Sequence, residues 1–406
     1  MISQVVILAA GESSRFWPLN YRHKALFKIM GRPLIWYTLD GFKKAGIKEA
    51  VIVQGPQKEI QQGLKNYVFP NLKLNYVIQK KPKGMGDALF QAKNSLKDRF
   101  FVAHAHRLDA PEYIKPLKSE KASLVLFAVK TATPYLYGVL EFQGNKVKRI
   151  VEQPKKGKEP SDWGVRGFYL LSKDFFDYYT KVRGGRYDFE KTLNLLIKYK
   201  GAKLVKTNKE ELNLKYPWHL FSVSQYLMQN YLKSKISKSA AVAKDAVIKG
   251  PVYIGERVKV FEGAVIKGPC YIGDDCMIGS NSIVRDNTNL EKNVLIGALS
   301  EVTRSIFQEG AHCHSGYFGD SVFGENCRLG AGTVTANVKL DRGEIKSTGL
   351  SSLGAIAGKN TNIGINASLM PGVLIGSNCT VGPGSVVFDN VKDNQVHFTK
   401  FQTLTR

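Results

Sequence analysis

Residues 100–111 read FFVAHAHRLDAP. An apolar run ends here in two histidines, His104 and His106, which stand two apart and so on one side of an extended chain. Neutral imidazole binds divalent ions and protonated imidazole neutralises phosphate, so the pair suits either a metal or an anion. A second stretch, LAAGESSRFWPLNYRHKAL (8–26), also leaves an apolar run directly. Ala10, Gly11 and the small Ser13 and Ser14 let the backbone curl close to a ligand, where successive N–H groups hold phosphate oxygens. Arg15 and Lys24 add positive charge where a departing pyrophosphate would build negative charge.

The elements that must position these residues fall into two halves. The first alternates strand and helix signals. VVILAA (5–10), EAVIVQ (49–54), KLNYVIQ (73–79), RFFVAHA (99–105), SLVLFAV (123–129) and GVLEF (138–142) read as strands. IWYTLDGFKKAG (35–46) reads as a helix between them, and VSQYLMQNYLKSK (223–235) as a helix leading out. That alternation predicts an α/β domain, a Rossmann-like doubly wound and mostly parallel sheet, over 1–235. From residue 248 to 302 an aliphatic residue recurs every sixth position, and the phase returns at Ile363. Period six fits three short strands per coil with one aliphatic per corner pointing inward, the hexapeptide signature of a left-handed parallel β-helix, expected over 236–393. ANVKLDRGEIKSTGLSSLG (336–354) reads as a loop thrown out from the coil, and 394–406 as a C-terminal tail that caps the last coil or crosses to a neighbour.

The charge is uneven. The net charge is +25; the first 240 residues hold 43 basic and 19 acidic residues, and the remainder 16 and 15. A cationic half suits an anionic ligand such as a nucleotide or sugar phosphate. The lysines are scattered and not interleaved with aromatics, so nucleic acid is not the expected partner. No apolar run is long enough to cross a bilayer, and the opening residues enter a strand with no basic leader. Five cysteines, an odd number with no C-x-x-C pair, all lie in the last third. They read as reduced packing thiols, and the protein as cytoplasmic.

In this order, the residues of 8–26 resemble the glycine-rich signature of sugar-1-phosphate nucleotidyltransferases, L-A-A-G-x-G-T-R followed by P-L and P-K-x-L. More of that pattern follows. Gln79 and Gly84 in YVIQKKPKGMGDAL match its base-reading segment; YGVLEF, with Gly138, matches its Y-G-V strand; Glu152 in VEQPKKG matches its E-K-P turn; YPWHLFSV (216–223) is similar to P-W-D-L. The resemblance implies a nucleoside triphosphate and a sugar 1-phosphate as substrates, with Arg15 and Lys24 catalytic and Ala10, Gly11, Ser13, Gln79, Gly84, Gly138 and Glu152 binding. Departures accompany it. The two family aspartates that hold Mg²⁺ fall on His106 and His219. Three outcomes are open: the two histidines hold a softer divalent ion, protonated histidines meet phosphate without a metal, or the domain is a non-catalytic nucleotide-sugar sensor or regulatory subunit.

AHCHSGYFGDSVFGENCRLGAGTVTANVKLD (311–341) resembles the acetyltransferase segment of the archaeal-type bifunctional enzymes that make UDP-N-acetylglucosamine, through His314, Tyr317, Gly319, Asp320, Gly330-Ala331-Gly332-Thr333 and Asn337. By that resemblance His314 is the general base that deprotonates a sugar amine attacking acetyl-CoA, Tyr317 and Asn337 hold substrate, and the protein is a trimer through its β-helix. The family's R-K-L-G is Ser351-Ser352-Leu353-Gly354 here, which removes a basic pair expected to grip phosphate; Lys339, Arg342 and Lys346 stand nearby in sequence as substitutes. His312 beside Cys313 has no further ligand at metal-site spacing.

Overall fold

The computed structural model describes residues 1–185, 187–207 and 212–400. It divides into two compact units, Met1–Glu12 with Pro33–Asn213, and Ser13–Arg32 with Leu214–Arg406. The division differs from the single boundary expected at 235: the stretch that carries Arg15 and Lys24 belongs to the second unit, as does the helix Leu220–Tyr231.

The first unit is built on a sheet in the order 203–207, 124–130, 163–172, 99–104, 4–9, 49–54, 73–78. Gln4–Ala9 is buried along its whole length and pairs parallel with Glu49–Gln54 and Arg99–His104, which is why these runs are continuously apolar rather than alternating. All six expected strands form. The sheet is less uniformly parallel than the alternation implies: Trp163–Ser172 runs antiparallel to both of its neighbours, with a bulge between Val165 and Tyr169. Gly138–Gln143 and Lys146–Glu152 form an antiparallel ribbon attached to it. The first half of Trp163–Ser172 carries two glycines and a buried arginine, Arg166, and so gives a weak strand signal.

In the second unit, three parallel sheets of eight, nine and eight strands are wound in rotation, each strand pairing with the one a full coil later. This is the left-handed β-helix the repeat specifies. The inward residues Ile254, Val260, Ile266, Ile272, Ile278, Val284, Leu290, Ile296 and Val302 form its core. Three residues after most of them stands an Asn, Asp or Gly with positive φ, as at Gly263, Asp275, Asn281, Asn287 and Asn293, because each corner needs the left-handed conformation these residues adopt most easily. After Val302 the period slips. The next inward positions are Phe307, Cys313, Phe318, Phe323, Leu329 and Thr335, all buried, so three of the steps shorten from six to five. Phe307, Phe318 and Phe323 pack mutually, with ring centroids 4.8 to 5.9 Å apart, and fill the shortened coils. The loop expected at 336–354 lies between Thr333–Thr335 and Ile356–Ala357, tied down by buried Ile345 and Leu353. As far as residue 400 the tail caps the coil: Val396–His397 pairs with Thr380–Val381. Residues 401–406 lie outside the described residues. All five cysteines are buried free thiols, and among the described residues no helix is long and apolar enough to cross a membrane.

Candidate functional sites

In the first unit, chain order reverses between the strands 4–9 and 99–104, the place where open α/β sheets receive ligands. Ala10 and Gly11 leave one of these strands, Ala105 and His106 the other; Leu8 lies opposite His104, and Ala105 N–H donates to Leu8 O at 3.2 Å. Gly11 is exposed, and a side chain there would touch nothing within 4 Å. The rings of His104 and His106 stack at 5.6 Å and 19°. His104 leans over Gly167, where a Cβ would come within 2.9 Å of the imidazole. At the turn that follows, the Asp109 carboxylate meets Arg107 at 3.2 Å and Arg166 at 3.4 Å, all three buried.

Gln79 is buried, and its amide N–H groups are both used, on Gly84 O at 3.2 Å and on Asp87 Oδ2 at 2.9 Å. That leaves its carbonyl oxygen as the acceptor it can offer a base. Gly84 has φ of 100°, a conformation that favours glycine, and opens the helix Met85–Ala92. Gly138 stands opposite Glu152 in the antiparallel ribbon, and a Cβ there would strike the Glu152 carboxylate at 2.6 Å. Burial, then Glu190, pushes the Glu152 carboxyl up to about 7, so its proton is lost near neutral pH and not in the usual acid range.

In the second unit, residues 17–31 run as a strap along one ridge of the β-helix, touching successive coils in order. Gly31 and Met30 donate their N–H groups to Glu291 Oε2 (3.0 Å) and Asn289 Oδ1 (2.8 Å). On the next coil, Lys28 meets Glu309 at 3.1 Å, and its carbonyl accepts from Gln308 at 3.0 Å. Arg22 pairs with Glu325, Lys359 lies over the Tyr21 ring at 5.4 Å, and Trp17 Nε1 donates to Asp393 Oδ2 at 3.2 Å. Met30 and Gly31 both have positive φ, so the strap turns sharply just where Asn289 and Glu291 receive its N–H groups.

In the middle of the strap, Lys24 N–H donates to Ser13 Oγ at 3.1 Å, and the Lys24 ammonium donates to Leu214 O at 2.8 Å. Burial and then Arg15 bring this lysine down to about 8. Lys215 N–H donates to His219 Nδ1 at 3.1 Å. Burial, then Lys215 and Lys24, hold His219 down at about 4, so its ring is neutral at working pH and carries its single proton on Nε2. A divalent ion needs a bare ring nitrogen, and this ring has none: one is occupied and the other protonated. Among the described residues no three His, Cys, Asp or Glu side chains gather at metal-site spacing. The His219 ring, held this way, therefore does not fit the resident metal expected of it. Lys215 was not singled out from the sequence; its signal was only a basic residue four before His219.

In the β-helix, Gly319 makes the second site possible. A Cβ there would meet Tyr317 Oη at 2.6 Å and Asn337 Nδ2 at 2.8 Å, so only glycine leaves room for both side chains. Asp320 is their hub. It receives Asn337 Nδ2 at 2.6 Å, Ser352 Oγ at 2.6 Å and a two-pronged contact from Arg304 at 2.6 and 2.8 Å. Burial would raise the Asp320 carboxyl, but these donors hold it below the usual range. Asn337 also approaches Tyr317 Oη at 3.5 Å. Ser352, from the pair that replaces Arg-Lys, thus binds the hub instead of offering charge. Two of the proposed substitutes are engaged elsewhere: Lys339 with Asp341, and Lys346 with Phe388 O. His314 is exposed on the coil, while His312 pairs with Arg328 at 2.7 Å and so has a structural partner.

Comparison with known proteins gives the same two parts. A nucleotidyl transferase family model matches residues 4–211, and hexapeptide-repeat models match residues 269–304 and 357–389. A relative from Sulfurisphaera tokodaii, a bifunctional sugar-1-phosphate nucleotidylyltransferase/acetyltransferase, is 33% identical over 94% of this chain and 96% of its own. The chain belongs to this family. A further member, the bifunctional protein GlmU of Methanococcus maripaludis strain C7, is 33% identical over 97% of each chain. A solved UDP-glucose pyrophosphorylase complexed with UDP-glucose superposes with a TM-score of 0.51 at 22% identity, covering 56% of this chain and 99% of that one. At that identity it shows the fold of the nucleotidyltransferase part of the family alone.

Proposed function

We propose that this chain joins a nucleoside triphosphate to a sugar 1-phosphate with release of pyrophosphate, and acetylates an amino-sugar phosphate from acetyl-CoA on its β-helix. The observation that carries the reading is the match, over nearly the whole chain, to a relative named for both activities. In the first reaction, a phosphate oxygen of the sugar 1-phosphate attacks the α-phosphorus, and the bond to the β-phosphate bridging oxygen breaks. Arg15 and Lys24 meet the charge that builds on the leaving pyrophosphate. Gln79, by its carbonyl, accepts from the base, and Glu152 faces the sugar. No step is routed through a protein-held metal. In the second reaction, His314 accepts the proton of the sugar amine as it attacks the thioester, and CoA leaves as the thiol. Tyr317 and Asn337, held by Asp320, orient sugar and acetyl group. Trimerisation through the β-helix and a reducing, cytoplasmic setting belong to the same reading.

The test offers purified protein UTP or dTTP with glucose 1-phosphate or N-acetylglucosamine 1-phosphate and follows pyrophosphate. Separately, it offers acetyl-CoA with glucosamine 1-phosphate and follows free CoA thiol. Release in both assays is expected; silence in either removes that half of the reading.

A further inference from the structure

We propose that the strap, the residues 13–16 that lead into it and the turn before the helix Leu220–Tyr231 form a polyphosphate site that neutralises its ligand with Arg15, Lys24, Lys215 and the His219 Nε2–H, without a divalent ion held by the protein. This rests on the nucleotidyl-transfer reading and states how its first site handles charge.

Three observations within the second unit meet here. The first is convergence. Lys24 reaches Leu214 O, the residue before Lys215, and Lys215 N–H fixes the His219 ring. The second is sign. Arg15 bears on Lys24 and on Lys215, and both lysines bear on His219; these charges are all positive. Among the described residues, the charged groups acting on the three are all positive, and Leu214 O receives the Lys24 ammonium. Half-buried cations that repel one another are costly unless an anion joins them. The third is the ring itself. With Nδ1 accepting from backbone, Nε2–H is a fixed donor, which suits a phosphate oxygen and rejects a cation. His219 also stands at the N-terminus of a twelve-residue helix, whose positive end adds to the same field.

The decisive experiment is calorimetric titration of the full chain with inorganic triphosphate, in EDTA and then in Mg²⁺. Binding in EDTA at least as tight as in Mg²⁺ is expected. Lys215→Met should weaken binding in EDTA by about ten- to hundredfold, the range for a lost charged hydrogen bond. His219→Gln, which keeps an N–H near the Nε2 position, should stay close to wild type. His219→Asp should bind poorly in EDTA and recover with Mg²⁺. Circular dichroism of each variant separates lost folding from lost binding, and the wild-type comparison stands without any variant. Triphosphate that binds only with a divalent ion present overturns the inference whatever the turnover. Triphosphate that binds in EDTA while no nucleotide yields pyrophosphate refutes the transfer reading and leaves this one standing.

Discussion

The two sites have each lost charged residues expected from the family resemblance, and the surrounding structure has answered differently. At the first, histidine stands at 219 where a carboxylate is expected, and the neighbourhood is positive: a neutral ring among Lys24, Lys215 and Arg15. At the second, Ser351 and Ser352 stand in place of a basic pair, and Ser352 is drawn into the hydrogen bonds around Asp320. The first site exchanges one source of positive charge for another. The second gives up charge for rigidity. A family substitution therefore has to be judged by what the new side chain touches, because the same loss of an ionic group leaves one site reshaped and the other tightened.

The largest effect should come from His314→Ala. If the second site keeps its base, acetyl transfer falls by about 10²- to 10⁴-fold, the usual contribution of a general base, while pyrophosphate release is untouched. Equal loss in both assays would break the separation of the two sites. Next is Asp320→Ala. It removes the acceptor for Asn337, Ser352 and Arg304 together, and acetyl transfer should fall by roughly ten- to hundredfold, the cost of freeing a charged hydrogen bond near substrate. Asp320→Asn keeps one acceptor oxygen and should recover part of it. Measurement of kcat and KM separately shows whether orientation or binding was lost.

A smaller change tests whether the β-helix serves the first site as well. Asn289→Ala strips the acceptor from the buried Met30 N–H of the strap and should cost about 1–3 kcal/mol of stability, the penalty for a buried unpaired donor. Because the strap also carries Lys24, pyrophosphate release should drop while acetyl transfer at His314 holds. A loss confined to thermal stability, with both activities intact at low temperature, would mean that the strap is only a brace.

Much of this was legible in the sequence, and unevenly so. Six strands of the first half and the coil from 248 to 302 follow from apolar runs and a strict period, because burial on both faces or at a coil corner demands them. The antiparallel strand 163–172 was missed because Arg166 is buried by an ion pair with Asp109, which no local pattern announces. The slip after Val302 was missed because phenylalanines take over where aliphatics set the period. Gly138 with Glu152, and Gly319 with Tyr317 and Asn337, do come together as the motifs imply. Lys215 and the docking of the strap did not show: the partners of residues 17–31 lie some 260 to 380 positions away, beyond the reach of spacing arguments.

The last test turns on protons. Glu291 accepts the Gly31 N–H, and burial pushes its carboxyl up to about 7. Its folded pKa lies above the unfolded value of 4.5, so between those two values the folded chain holds a proton that the unfolded chain has released. Stability from this group is therefore full below pH 4.5 and declines as pH rises toward and past 7, by at most about 1.4 kcal/mol per pH unit. His219 works in the opposite sense. Its folded value near 4 lies below the ordinary 6.5, so its contribution is present above 6.5 and is lost as pH falls toward 4. Glu152, also raised, declines in the same window as Glu291. Thermal melts of wild type and Glu291→Gln from pH 5 to 8 isolate the strap: the two curves should converge at low pH and separate as pH rises, with the glutamine variant the more stable near pH 8. Parallel curves would mean that Glu291 stays ionised in the folded chain, held by Lys28 and the Gly31 N–H, and that the strap is fastened by charge and not by a shared proton.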